Sequence, residues 1–123
     1  MAWSVDARIP LVTVPDEATL AAALAAGRPA AVLAEAPPPA KPEAAVALVS
    51  FDVTGPQHVA GCTCCAGRSA AALALDRLFQ ARVRNACPWF ERVVALADTE
   101  AARTEIAAAL QDDALTAARF RAA

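Results

Sequence analysis

Four apolar runs of strand length, separated by alanine- and leucine-rich stretches of helical length, constrain the fold of this chain more than any other feature. The first, Ile9-Pro10-Leu11-Val12-Thr13-Val14, is short and β-branched. Pro15-Asp16-Glu17 then opens an apolar stretch through Ala26 that stops at Gly27 and Pro29. Asp16 suits an N-cap, an acid in the first turn suits the helix dipole, and glycine followed by proline is an orderly helix stop. A second run, Ala30-Ala31-Val32-Leu33-Ala34, follows at once and ends at Glu35. Strand, helix and strand at this spacing predict a parallel βαβ unit.

Residues 36–43 hold the proline-rich stretch Ala36-Pro37-Pro38-Pro39-Ala40-Lys41-Pro42, which can be neither helix nor inner strand and reads as an extended connector. Ala45 to Val53 is the third strand candidate, ended by Thr54-Gly55-Pro56. From Ser69 to about Asn85 the pattern is helical, with Leu75, Leu78, Phe79 and Val83 near one face. Phe90 to Leu96 is the fourth strand candidate, and Asp98 or Thr99 can cap a helix running to about Leu110. Asp112-Asp113 begins a last short helix to Phe120. The expected fold is α/β, a short and mostly parallel sheet flanked by helices, with residues 1–123 forming one domain. The pattern specifies no strand order.

An apolar fraction of 58% with 20% charged residues can fill one core in 123 residues. Alanine supplies much of that fraction, and a buried methyl stabilises far less than a leucine side chain, so the core is expected to be thin. A net charge of −2 and a pI near 5.3 leave no basic footprint. Arg82, Arg84 and Arg92 are expected to lack an aromatic stacking platform, so nucleic acid is not an expected partner. The start has no basic segment followed by an apolar one, and no run reaches the roughly 18 apolar residues of a membrane span. No membrane association and a cytoplasmic location are the expectation, and a reducing cytosol keeps thiols free rather than paired.

The chemistry concentrates in Gly61-Cys62-Thr63-Cys64-Cys65. Three thiolates this close can converge on one soft or borderline cation, zinc above all, Cu(I) or another transition metal otherwise. Buried inert thiols and a redox pair are the competing readings. Cys62, Cys64 and Cys65 are the primary candidate ligands. A tetrahedral ion needs a fourth, for which His58, the only histidine, and Glu35, at the end of a parallel strand, are candidates alongside water or a partner's residue. Arg68 and a helix start near Ser69 offer positive potential that would favour thiolates. Cys87 reads as a core residue, with an outlying fourth thiol ligand as its alternative, and Trp3 and Trp89 as core or rim aromatics. With one histidine and no nucleophile elbow, no catalytic set is visible.

These residues resemble the CobW-type metallochaperone GTPases, whose G-C-x-C-C loop precedes a helix with a nearby arginine. Gly61, Cys62, Cys64, Cys65 and Arg68 stand in those positions. Downstream, Phe90-Glu91-Arg92-Val93-Val94, Leu96-Ala97-Asp98, Leu110-Gln111-Asp112-Asp113 and Ala117-Ala118-Arg119-Phe120 follow the family's order. Upstream, Arg8 to Val14 looks like its first strand and Ala31 to Glu35 like its second. The resemblance implies a reduced P-loop-NTPase architecture, but this chain passes from Val14 through Pro15-Asp16-Glu17 directly into helix, without the glycines, lysine and Ser/Thr that a phosphate-binding loop needs. The Glu-Thr-Thr-Gly-type switch segment is missing between Val94 and Leu96, and no base-selecting Asn/Ser/Thr-Lys-x-Asp motif follows. Neither nucleotide binding nor GTP hydrolysis is expected, and the chain is not expected to be an enzyme.

The leading expectation is therefore a metal-binding protein, most suited to zinc, acting as carrier, sensor or accessory to a larger metallochaperone. Its partners would be the metal ion and a metal-acceptor protein or a full-length metallochaperone. Two alternatives are a pseudo-GTPase interaction module with a structural ion and a thiol redox protein using Cys62 with Cys64 or Cys65.

Overall fold

A computed structural model describes residues 6–53 and 68–123. The chain runs β1 (Ile9–Val14), α1 (Glu17–Ala25), β2 (Ala30–Glu35), β3 (Ala45–Phe51), α2 (Ala70–Val83), β4 (Arg92–Leu96), α3 (Glu100–Asp112), α4 (Ala114–Arg119) and β5 (Phe120–Ala122). The five strands form one sheet in the order β3-β2-β4-β1-β5, and every pairing is parallel.

The expected βαβ unit is parallel, but its strands are not neighbours. Strand β4 lies between them, pairing Leu11–Val14 with Val93–Leu96 on one side and Ala30–Ala34 with Arg92–Leu96 on the other. The fifth strand has no counterpart in the sequence reading, which ended the last helix at Phe120. Instead Phe120 leaves that helix in extended conformation and pairs with Ile9. Three residues, Phe120-Arg121-Ala122, are too few for their alternation to be read as a strand.

Side-chain alternation sends successive residues to opposite faces. Ile9, Leu11, Ala31, Leu33, Val93 and Ala95 pack under α2 and α3, joined by Leu75, Leu78, Phe90, Ile106 and Phe120. Val14, Val32, Ala34, Val94 and Leu96 pack against Leu20 and Leu24 of α1. Strand β2 is covered on both faces, which accounts for its unbroken apolar run. One helix cannot cover the whole of its face, so Val12, on the same side as Val14, is 41% exposed. Val83, expected on the core face of α2, is the helix's last residue and is also exposed.

The caps fall where the sequence placed them. Asp16 accepts from the Thr19 amide (2.7 Å), Ser69 from Ala72 (3.1 Å), Thr99 from Ala102 (3.2 Å) and Asp113 from Thr116 (3.0 Å). Past α1, Gly27 takes φ +96°, a backbone conformation that L side chains rarely adopt. Residues 36–44 return the chain from the end of β2 to the start of β3 without a helix. A strand of this length spans roughly 20 Å at about 3.3 Å per residue, and an extended connector of that many residues reaches about 30 Å. No helix among the described residues is long and apolar enough to cross a membrane.

Leu33 is fully buried near the centre of the sheet. Leu33→Ala should cost about 2–5 kcal/mol through lost transfer energy and the cavity left behind. A urea midpoint close to that of the parent would show that the alanine-rich surroundings collapse to fill the space.

Candidate functional site

In an all-parallel sheet, ligands bind beyond the carboxyl ends of adjacent strands whose following connections leave to opposite faces. Here those strands are β1, followed by α1 on one face, and β4, followed by α3 on the other. A cleft of about 390 Å³ opens there, bordered also by Glu35 and the prolines after β2.

The cleft is acidic, carrying Asp16, Glu17, Glu35 and Asp98. Asp16 is engaged as the cap of α1, and the Thr19 amide it accepts holds its carboxyl below the usual range. Glu35 bridges to α3: Oε1 accepts from the backbone amides of Asp98 and Thr99 (both 3.2 Å), and Oε2 from the Thr99 hydroxyl (2.6 Å). Burial acts to raise the Glu35 pKa, but these hydrogen bonds outweigh it and the net shift is downward. Sequence reasoning placed Glu35 at this edge as a candidate ligand. The structure gives it a further task, holding the entrance of α3 against the end of β2, and leaves Oε2 with acceptor capacity beyond one hydroxyl.

The remaining candidate ligands, His58, Cys62, Cys64 and Cys65, lie outside the described residues. Among the described residues no three His, Cys, Asp or Glu side chains are placed to hold a metal ion. Strand β3 ends at Phe51, the described chain continues to Val53, and it resumes at Arg68, immediately before the Ser69 cap of α2.

Arg68 is anchored rather than free. Its Nε donates to Asp113 Oδ2 (2.9 Å) and its Nη2 to Asp113 Oδ1 and Asp76 Oδ1 (both 3.0 Å), while Nη1 pairs with Asp76 Oδ2. Arg119 adds a weaker contact to Asp76 (3.4 Å). These hydrogen bonds raise the Arg68 pKa and, led by the Arg68 side chain, lower that of Asp113 to about 2. The positive potential expected of Arg68 toward the thiols is thus corrected, because two carboxylates neutralise it. The α2 N-terminus is similarly attended, with Glu105 accepting from the Ala71 amide (3.0 Å). What sequence reasoning missed is that the aspartate expected only to cap the last helix also reaches back across the chain to Arg68.

Cys87 is partly buried against the core, and burial raises its thiol pKa, which suits an inert packing residue. Arg82, expected to have no aromatic platform, lies with its guanidinium carbon 3.7 Å from the Trp89 ring centroid. Trp89 itself is a rim aromatic, 56% exposed.

No family model matches this chain, and neither a curated protein nor a solved structure matches it.

The Arg68 clamp carries a pH signature. A carboxyl with a lowered folded-state pKa contributes stability that is full above its unfolded value, about 3.9, and is lost as pH falls through the folded value. Asp113→Asn retains an acceptor for the Thr116 cap but removes the charge. It should cost on the order of 1–3 kcal/mol at neutral pH. Its urea midpoint should then decline less than the parent's between about pH 4 and pH 2. Parallel declines would show that Asp113 contributes nothing beyond the cap.

Proposed function

We propose that this chain is a metal-binding protein, best suited to zinc, that carries, senses or helps deliver the ion in the cytoplasm without hydrolysing GTP. The observation that carries the reading is the run of three cysteines within four residues, placed in the connection between the carboxyl end of β3 and α2. Thiolates are the ligands zinc favours, and Cys62, Cys64 and Cys65 with His58 or Glu35 make a donor set of suitable chemistry. A reduced relative of the CobW-type metallochaperones is the architecture we infer, and the parallel α/β sheet is consistent with it.

The connection after β1 supports a nucleotide-independent role. Only Pro15 and Asp16 separate Val14 from the first residue of α1. At the start of that helix, the Thr19 amide is already taken by the Asp16 side chain and the Leu20 amide by the Asp16 carbonyl. A phosphate would find the Thr19 amide taken and the carboxylates of Asp16 and Glu17 close by, where a phosphate-binding loop offers several free N–H groups and a lysine.

The second reading, an interaction module whose ion holds the fold, draws on the Arg68 clamp, which fixes one flank of the cysteine segment. Exchange separates the two. A closed four-ligand site is structural, whereas an open three-ligand site can pass its ion on.

Zinc competition against a chromophoric chelator on reduced protein should give one tight equivalent, lost when Cys62, Cys64 and Cys65 are all replaced by Ser. A circular dichroism spectrum that keeps its helical signal after chelation supports a carrier or sensor, and unfolding on chelation supports the structural ion. Equal affinity in the parent and the triple variant would sink both readings.

A further inference from the structure

The amino edge of the sheet, opposite the carboxyl edge from which the cysteine segment departs, carries a second cleft of about 450 Å³. Its walls come from the entries to several strands. Arg8 precedes β1, Arg28 precedes β2, Arg92 begins β4 and Arg121 lies in β5, while Arg82 reaches in from the last turn of α2. Five arginines therefore meet in one concavity, and parallel pairing is what gathers them, because strand starts distant in sequence lie side by side.

Their charges are not balanced locally. Among the described cleft residues only Asp6 and Glu91 are acidic, a formal excess of three positive charges. Asp6 pairs with Arg8 (2.9 Å) and stands 3.5 Å from Arg121, and Glu91 pairs with Arg28 (3.0 Å). Arg82 and Arg92 form no ion pair among the described residues, although the Glu91 charge acts on Arg82, and both are held by backbone carbonyls. Arg82 Nε donates to Phe90 O (2.8 Å), Arg92 Nε to Arg28 O (2.8 Å) and Arg92 Nη1 to Ala23 O (2.9 Å). Among the described residues the buried Arg92 Nη2 has no hydrogen-bond partner, so this guanidinium keeps its charge with one donor unsatisfied.

The guanidiniums are also pre-positioned. Arg82 is stacked on Trp89, and the carbonyl bonds fix two nitrogens of Arg92, so little side-chain freedom remains to be lost on binding. A planar guanidinium fork matches the oxygens of a phosphate group, and Trp89, 56% exposed at the rim, gives an apolar surface beside them.

We propose that this cleft binds a small molecule bearing a diphosphate group, whose oxygens meet the arginines while its apolar portion rests on Trp89. The excess of three positive charges selects the class. A diphosphate approaches full compensation, whereas a single carboxylate leaves most of the excess unpaired. The size of the cleft is that of a small-molecule pocket.

The test uses the full chain, reduced and with any bound metal retained, in a Trp3→Phe background that leaves Trp89 as the sole tryptophan. Inorganic pyrophosphate is titrated at constant ionic strength while Trp89 fluorescence is followed. The expected result is a saturable change with Kd near or below about 1 mM. Affinity should fall about tenfold in Arg28→Gln and in Arg121→Gln, each having lost one guanidinium. It should rise about fivefold in Glu91→Gln, which releases Arg28 from its competing carboxylate. A gain of affinity cannot come from a misfolded variant. Arg84→Gln, exposed and outside the cleft, should bind as the parent does. A response that does not saturate, that sulfate reproduces with equal affinity, or that is unchanged in Glu91→Gln and Arg121→Gln overturns the proposal.

Discussion

Strand β4 joins two parts of the chain that would otherwise have no common edge. On one side its hydrogen bonds engage β1, which carries β5, and on the other they engage β2, which carries β3. Val93 and Ala95 complete the core under α2 and α3, and Val94 and Leu96 complete the core under α1, so four successive residues hold both layers together. The entry to β4 is fixed as firmly. The Glu91 amide donates to Pro29 O (3.0 Å), and Arg92 binds the Ala23 and Arg28 carbonyls at the end of α1 and in the turn beyond it. A disturbance at this strand therefore reaches the sheet, both helical layers and the departure of α3 from the candidate site.

The core is as thin as its composition implied, but it is closely set. Ala71, Ala74, Ala95, Ala97 and Ala102 are fully buried where the helices meet the sheet, and small side chains allow the backbones to approach one another. Each methyl stabilises little on its own, so larger groups carry more of the burden. Among the described residues Phe90 and Phe120 are the largest fully buried side chains, and Phe79 meets Phe120 edge to face at 6.3 Å between centroids. The Arg68, Asp76, Asp113 and Arg119 network then links the start of α2 to α4 by charge. Polar tethering at a partly exposed margin complements apolar packing that alanine alone leaves modest.

Local chemistry made the elements legible. Caps at Asp16, Ser69, Thr99 and Asp113, the Gly27 stop and the proline connector are all short-range signals, and all mark real boundaries. Strand order was not legible, because nothing in Ile9–Val14 or Ala30–Glu35 says that a strand some sixty residues later will come between them. The same limit applied to charge. Arg68 reads as a free cation until Asp113 is brought beside it, and Arg82 reads as unsupported until a turn places Trp89 beneath it. Glu35 was correctly located at the carboxyl edge from its strand, but its bonds to Thr99 depend on which strand lies next door.

The two charged edges have a common origin in the parallel architecture. Helices α1, α2 and α3 each begin beyond the carboxyl end of the preceding strand and end near the amino edge, so their positive dipole ends collect at one edge and their negative ends at the other. Asp16, Glu17, Asp98, Glu100 and Glu105 stand at or just before the helix starts, while Arg28, Arg82 and Arg92 stand near helix ends. Dipole complementation accounts for this sorting but not for its full extent. Arg8 reaches only the last turn of the short α4, through Ala117 O (3.3 Å), and Arg121 lies in β5, so together they bring the amino edge beyond what the ends of α1, α2 and α3 require. Among the described residues the carboxyl edge is acidic instead, with Asp16, Glu17, Glu35 and Asp98 standing where a fold of this kind usually offers its helix starts to anionic ligands.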